Sequence, residues 1–321
     1  MLHRWLCAIA LLLMGFGTQS SAQNWPTKPI RAIVPYSPGS ATDIIPRTVF
    51  AQVEKQLGQP IIIENRDGGA STIGTAAVAK SEPDGYTFLV ASSAYTTVPL
   101  ITANLPYDPQ RDLTAVIPLA NMANVLVISP AKGIKTVGEF VTAARERRGS
   151  MNYVTIGAGS AAHLNSERFR LAARFEAQPI PFKGSPAGLT EVVAGRVDFY
   201  FCPLLPALGL IRDGKLTALA VSSLQRAPNL PDVPTTVEAG FPNSEYNFWF
   251  GVFAPAKTPP EIIQRLYQEI SKALQDPGVR EKLAKLAVQP MPMTPAQFND
   301  YVRKEFEQNA ALVKAAGVKP Q

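Results

Sequence analysis

The strongest constraint on this chain is an alternation, met twice, between short β-rich runs and segments with helical spacing. Runs at 30–34, 61–64 and 88–91 are rich in Ile, Val, Leu and Phe. Between the first two, Ile45, Val49, Val53 and Leu57 recur every four residues, on one helix face, and Gly58 is a natural C-cap. Ile73, Ala77 and Val78 mark a second helix before the third run. After Pro118 the pattern restarts: a strand at 125–128, a helix around 137–147, a strand at 153–156, a helix at 164–174, then strands at 197–201 and 216–221. Such alternation predicts parallel sheets covered by helices on both faces, and its restart predicts two α/β lobes.

The stretch 226–246 is rich in Pro and polar residues and predicts an extended connection into a strand at 247–255. Thr258 and Glu261 have the spacing of a capping box, followed by Ile263, Leu266, Ile270 and Leu274 on one helix face. Thr294-Pro295 opens a last helix carrying Phe298, Val302, Phe306 and Val313. These helices are expected to pack back on the first lobe. The chain then crosses between lobes near 123 and near 246, giving lobe 1 as 23–123 plus 247–321 and lobe 2 as 124–246. Two lobes joined by two crossings form a hinged cleft suited to closing on a small ligand.

The N-terminus reads as a cleaved export leader over 1–22. His3 and Arg4 precede an apolar stretch at 6–16, and Ser20-Ser21-Ala22 supplies small residues before Gln23. The apolar stretch is too short to span a bilayer, and Cys7 precedes it, which argues against lipid attachment. Beyond the leader only Cys202 and His163 represent their residue types. An internal disulfide is therefore not expected. The whole-chain net charge of +6 is modest and spread out, and clusters such as 145–148 read as a solvated helix face rather than a nucleic-acid contact.

Catalytic arrangements fare poorly. A Ser–His–Asp site would have to use His163, which opens a helix just after a glycine loop. No cluster has metal-ligand spacing, and Cys202 lacks an evident activating partner, so no cofactor or metal is expected. The run 157–162, Gly-Ala-Gly-Ser-Ala-Ala, mimics a dinucleotide fingerprint. Its third position is Ala, and no acidic residue ends a strand about twenty residues later to meet a ribose. It reads better as an anion-binding loop. The same logic applies to the first strand, which runs into Tyr-Ser-Pro-Gly-Ser at 36–40 and then a helix. A glycine-containing turn that opens a helix presents backbone N–H groups to an anion.

In addition, the chain resembles the Bug-type extracytoplasmic solute-binding receptors of the tripartite tricarboxylate transporter family. The resemblance runs through WPTKPIRAIVPYSPGSATDIIPR, IIIENRDGGASTIGTAAVAKSEPDGYTFLV, GAGSAAHLNSERF, PIPFKGSPAGLTEVVAGRVDFYF, LPDVPTTVEAGFP and WFGVFAPAKTP, in that order. It implies a two-lobed periplasmic-binding-protein-like α/β fold and a periplasmic, non-enzymatic, monomeric receptor. Its partners would be a small carboxylate and membrane-embedded transporter subunits. It also implies the site: Tyr36, Ser40, Ala41, Thr42 and Asp43 from the first loop, Gly69, Ala70 and Ser71 from the second, and Ser92, Ser93 and Tyr95 from the third. Lobe 2 would add Ile156, Ala158, Gly159, Ser160, His163, Lys183, Gly184, Phe201 and Cys202. Asp43 has an alternative as a first-turn acid favoured by the helix dipole, and each loop has the alternative of simply turning the chain.

Departures from the family pattern bear on the ligand. Relatives carry His where Tyr95 stands, Ser and Asn where Ile156 and Ala158 stand, and Asp where Cys202 stands. Loss of an acid at 202 argues against a ligand ammonium, which would be buried without a partner. Tyr36, Tyr95 and Phe201 are expected to flank a planar ring. The expectation is an aromatic carboxylate or dicarboxylate resembling terephthalate, with an aliphatic dicarboxylate next. A solute-sensing subunit and an exported hydrolase or lyase remain as alternatives.

Overall fold

The computed structural model describes residues 25–315 and Gly317; the leader at 1–22 lies outside the described residues. In the first sheet, β1 (Ile30–Val34) pairs in parallel with β2 (Ile61–Asn65) on one side and β3 (Thr87–Ser92) on the other. The sheet continues through β10 (Phe248–Pro255), β4 (Leu113–Met122) and the short β11 (Val288–Gln289) in the order β11-β4-β10-β3-β1-β2. Its second half is antiparallel, since β10 runs against both β3 and β4. The sheet is therefore mixed, not wholly parallel. Helices α1 (Ala41–Leu57) and α2 (Thr72–Ala79) follow β1 and β2, and Gly58 at φ 66° ends α1 with its N–H on the Glu54 carbonyl.

The second lobe departs further from the parallel expectation. β5 (Asn124–Ile128) lies between β8 (Tyr200–Pro203) and β9 (Thr217–Val221), antiparallel to both. β6 (Met151–Thr155) and β7 (Ala177–Pro181) form a separate parallel pair. The reason lies in the crossing. Only Ala123 separates β4 from β5, so one nearly continuous extended segment enters this sheet from the other lobe. The strand expected at 197–201 begins instead at Tyr200, and Phe199 makes only an isolated bridge to Tyr153. Helices α4 (Val137–Glu146), α5 (Ala161–Ala173), α6 (Ser185–Val193) and α7 (Leu204–Arg212) cover the strands. Phe140 centres a cluster of rings here, with centroids 5.2 Å from Phe199 and 5.9 Å from Phe175.

The C-terminal helices are α8 (Pro260–Gln275), α9 (Pro277–Lys285) and α10 (Pro295–Ala315). The capping box expected at Thr258 does not form. Pro259 takes the extended N-cap position, so Thr258 lies one residue outside the helix and is buried, with its hydroxyl unpartnered among the described residues. Thr294 does cap α10, exchanging hydrogen bonds with Gln297. Leu266 and Ile270 of α8 pack against the core of the first sheet, as expected. The last turns of α10 reach further. Leu312 and Val313 share a cluster with Leu164 of α5, Tyr246 and Ile101, the last residue of the short helix α3 (Val98–Ile101). That cluster joins the two lobes.

The crossings are stitched together. Asn121 donates to the Asn247 side chain at 2.9 Å, Ser222 N–H to the Asn124 carbonyl at 2.9 Å, and Tyr246 N–H to the Ser222 carbonyl at 2.8 Å.

Candidate functional site

Five loops follow strands paired in parallel, three in lobe 1 and two in lobe 2. In open α/β sheets ligands collect outside the carboxyl ends of parallel strands, where neighbouring connections run to opposite sides. β1 sits at such a point, with β2 on one flank and β3 on the other. The Tyr36 hydroxyl, just after β1, meets Ser92 Oγ, the end of β3, at 2.9 Å. Burial raises the Tyr36 pKa despite hydrogen bonds with Ser92 and Ser71. The phenol therefore stays neutral. The loops after β1, β2 and β3 thus meet at one side chain.

Lobe 2 contributes the loops after β6 and β7. Phe182 N–H donates to the Thr155 carbonyl at 2.8 Å, holding the two loops side by side. Gly159 approaches lobe 1 so closely that a Cβ placed on it would lie 2.2 Å from Ile101 Cδ1 and 3.6 Å from Thr97 Cγ2. This contact closes the patch across the lobes.

Two helices begin at these loops. Ser40 is the N-cap of α1 and Ser160 that of α5. The first N–H groups of a helix have no acceptor inside it and carry the positive end of its dipole. At α1 these belong to Ala41 and Thr42, and Ser40 Oγ is buried with no partner among the described residues. At α5 the Ser160 hydroxyl accepts from His163 N–H, and His163 Nδ1 accepts from Gly159 N–H at 3.1 Å. The imidazole proton therefore sits on Nε2, and burial lowers the His163 pKa. The ring's one basic nitrogen is taken by the Gly159 N–H, so no lone pair is free for general-base work.

The second loop is wound tightly. Gly68, Gly69, Ala70 and Ser71 have φ of 123°, 56°, 51° and 79° in succession. Two non-glycine residues in the left-handed region cost about 1–2 kcal/mol each. Strain of this kind clusters at ligand-binding sites.

Asp43 lies in the first turn of α1 with its carboxylate engaged inside lobe 1. Its carboxylate accepts from Gly39 N–H at 2.9 Å, Arg47 Nε at 2.9 Å and Asn65 Nδ2 at 3.0 Å. Burial pushes its pKa up, but these donors outweigh that and hold it below the usual value. Asp43 shapes the loop from behind. Asn65, which also donates to the Tyr36 carbonyl, was missed in the sequence reading. Its position at the carboxyl end of β2 was the available signal.

Three expected residues lie elsewhere. Tyr95 is buried against Phe253, ring centroids 4.3 Å apart, and its hydroxyl bonds the Pro109 carbonyl. Phe201 packs on Phe169 in the lobe 2 core, centroids 5.3 Å apart. Cys202 faces the opposite side of the same strand, fully buried among Val125, Tyr200 and Leu204. Both faces of β8 are covered, so alternate residues enter two cores and neither reaches a cleft. Burial also raises the Cys202 thiol pKa strongly, as expected of an inert structural cysteine. Ile156 (41% exposed), Ala158 and Lys183 are exposed on the lobe 2 loops, and Gly184 is half-buried. Tyr200, also missed, holds Ser185 Oγ at 3.0 Å. A separate cavity of about 290 Å³ lies beside the crossings, lined by Asn121, Asn247 and Met291, and none of the candidate residues borders it.

A match to the family model of the tripartite tricarboxylate transporter family receptor covers residues 45–318. The chain belongs to that family. It is 34% identical to protein BugT of Bordetella pertussis over 97% of this chain and 96% of that one. Among solved structures it resembles the R. palustris protein Rpa4515 with adipate (32% identity, TM-score 0.81, 92% of this chain and all of that one). It also resembles MatC of Rhodopseudomonas palustris with bound malate (29% identity, TM-score 0.76, 90% and 100% covered). Receptors of this family are periplasmic solute-binding proteins, not enzymes, and bind small carboxylates. Among the described residues no helix is long and apolar enough to cross a membrane.

Proposed function

We propose that this receptor captures a small dicarboxylate between its lobes and delivers it to the membrane-embedded subunits of a tripartite tricarboxylate transporter. The observation that carries the reading is a pair of helix N-termini, α1 in one lobe and α5 in the other, with the α5 loop touching lobe 1 through Gly159 against Ile101 and Thr97. Each offers N–H donors to an anionic group, and a ligand with two carboxylates engages both. Closure brings the lobes together about the crossings at 123–124 and 246–247, which we take as the lobe boundaries. The leader at 1–22 exports the chain to the periplasm, where it works as a monomer.

An aliphatic dicarboxylate fits better than the aromatic one read from sequence. Of the three rings assigned to the walls, Tyr95 and Phe201 are packed into cores, leaving only the half-buried Tyr36 in lobe 1, while Ile156 and Ala158 are exposed in lobe 2. The similarity to relatives solved with adipate and with malate supports the same class. An amino acid fits poorly, because Asp43 is already neutralised by Arg47.

A thermal-shift screen of the mature chain against adipate, malate, terephthalate and glutamate tests this. A ligand at one hundred times its dissociation constant adds about 2.7 kcal/mol of stability. A shift with adipate or malate but not glutamate is expected. A shift with terephthalate alone would return the aromatic reading, and none with any carboxylate would overturn the proposal.

A further inference from the structure

Behind the loop that carries Ser92 and Ser93 lies a buried acid, Glu305 of α10, that the site described above does not use. It is 8% exposed. Its Oε2 accepts from Trp249 Nε1 at 2.8 Å and lies 2.9 Å from Thr96 Oγ1, and its Oε1 accepts from the Tyr301 hydroxyl at 3.4 Å. Thr96 Oγ1 is also 2.8 Å from the Ser93 carbonyl and accepts from Asn309 Nδ2 at 2.9 Å.

The proton count at Thr96 is decisive. Its hydroxyl has one hydrogen and stands between two oxygens, the Ser93 carbonyl and Glu305 Oε2. With Glu305 ionised, both are acceptors competing for that hydrogen, and one of the two contacts is left as oxygen facing oxygen with no hydrogen between them. With Glu305 protonated, Glu305 donates to Thr96 and Thr96 donates to Ser93. Each of the two contacts then has its own hydrogen.

We infer that Glu305 is a proton-dependent positioning residue, whose protonated carboxyl fixes the Ser92–Ser93 loop through Thr96 and so favours binding of an anionic ligand. Ionisation turns the Thr96 hydroxyl away from Ser93 and places a negative charge behind the anion-binding loop. Both effects weaken binding of an anion.

The surroundings agree. Burial raises the Glu305 pKa to about 7, against the lowering influence of Trp249, Thr96, Arg168 and Tyr301. The charged and titratable groups facing it are Tyr301 on its own helix, Arg168 of α5 and Tyr246 of the second crossing. Lys304 and Glu245 line the cavity of about 210 Å³ that Glu305 shares with Arg168, which gives water a route to the acid. Arg168 itself is held by the Glu245 carbonyl at 2.9 Å and Asn309 Oδ1 at 3.2 Å. His163 is shifted the opposite way, its pKa lowered by burial.

The test begins without ligand. In nuclear magnetic resonance spectra between pH 5 and 9, the Trp249 indole resonance should titrate near pH 7, and the amides of Ser93 and Ala94 should move with the same midpoint. In Glu305→Gln all three should stay still. In Thr96→Val the indole should still titrate while the two amides do not, which keeps the test open if the first variant folds poorly. Adipate is then titrated at pH 6 and pH 8, with an expected fall in affinity on the order of tenfold, absent in Glu305→Gln. A Trp249 indole that does not titrate overturns the inference, as do loop amides that ignore it or adipate affinity that is flat or rises with pH. The adipate arm rests on the dicarboxylate reading. Failure of adipate to bind, with the indole and loop amides titrating together, would count against that reading and leave the positioning role supported.

Discussion

Gly159→Ala should separate the backbone cost of the lobe 2 loop from the fit between lobes. Gly159 has φ 71°, and a left-handed residue with a Cβ costs about 1–2 kcal/mol in any arrangement of the lobes. The new methyl would also lie 2.2 Å from Ile101 Cδ1 and 3.4 Å from Ile101 Cγ1. Ile101 cannot simply swing away, because it is buried with Leu164, Tyr246 and Leu312. Overpacking of this kind costs about 1–3 kcal/mol. The second term acts only while the lobes are together, so opening relieves it. Only this second term weighs against closure, and at about 1 kcal/mol or more it predicts roughly a fivefold or greater loss of affinity. Thermal stability without ligand should fall by the first term alone. Calorimetric titration with the dicarboxylate found by screening measures the affinity, and small-angle scattering measures the opening. Adding Ile101→Val removes Cδ1 and should restore most of the overpacking term but none of the backbone term. If Gly159→Ala binds within about threefold of the wild type, the interlobe contact is not part of closure.

Other perturbations follow from the same contacts. Asp43→Asn should cost about 1–3 kcal/mol at pH 7 through loss of charged hydrogen bonds; because the folded pKa of Asp43 is depressed, its contribution is present above its unfolded value and disappears as pH falls through the folded one. Urea unfolding at pH 7 and pH 3 should show the gap between variant and wild type shrinking in acid. Cys202→Asp should gain no affinity for glutamate or aspartate and should lose on the order of 3 kcal/mol of stability, since it buries an unpaired carboxylate in the lobe 2 core; a folded variant that binds glutamate would refute that placement. For Glu305 the sign is opposite to Asp43: its folded pKa, about 7, is raised, so its contribution is complete below about pH 4.5 and is lost as pH rises through 7. That loss amounts to about 3 kcal/mol, and Glu305→Gln should flatten the stability profile over this range.

Much of the site was legible because anion loops have local grammar. A β-rich run, a glycine or serine turn and a helix with four-residue periodicity are written in neighbouring residues, so the loops at 36–43, 68–71 and 157–163 stand where the pattern put them. Asp43 illustrates the limit. Its place in the first turn is local, but its partner Asn65 comes from another strand, and only pairing of β1 with β2 brings them within 3.0 Å. Thr258 failed for a similar reason: the spacing of a capping box was present, yet Pro259 claimed the extended cap position.

The aromatic walls show the same division more sharply. The family resemblance puts Tyr95, Phe201 and Cys202 in the cleft, but the side a residue faces depends on what covers it. β8 is covered on both faces, by Phe169 on one and by Leu189 and Val192 of α6 on the other, and periodicity is silent where both faces are buried. The antiparallel lobe 2 sheet was hidden likewise, because strand direction depends on how the segment at 113–128 enters from the other lobe. The amino-acid sequence alone determined the alternation, the two lobes, the helix-opening loops and the family. Tertiary structure decided which side chains reach the cleft and placed Glu305 behind Ser93, 212 positions apart in number, since burial and proton sharing arise only between segments that folding brings together.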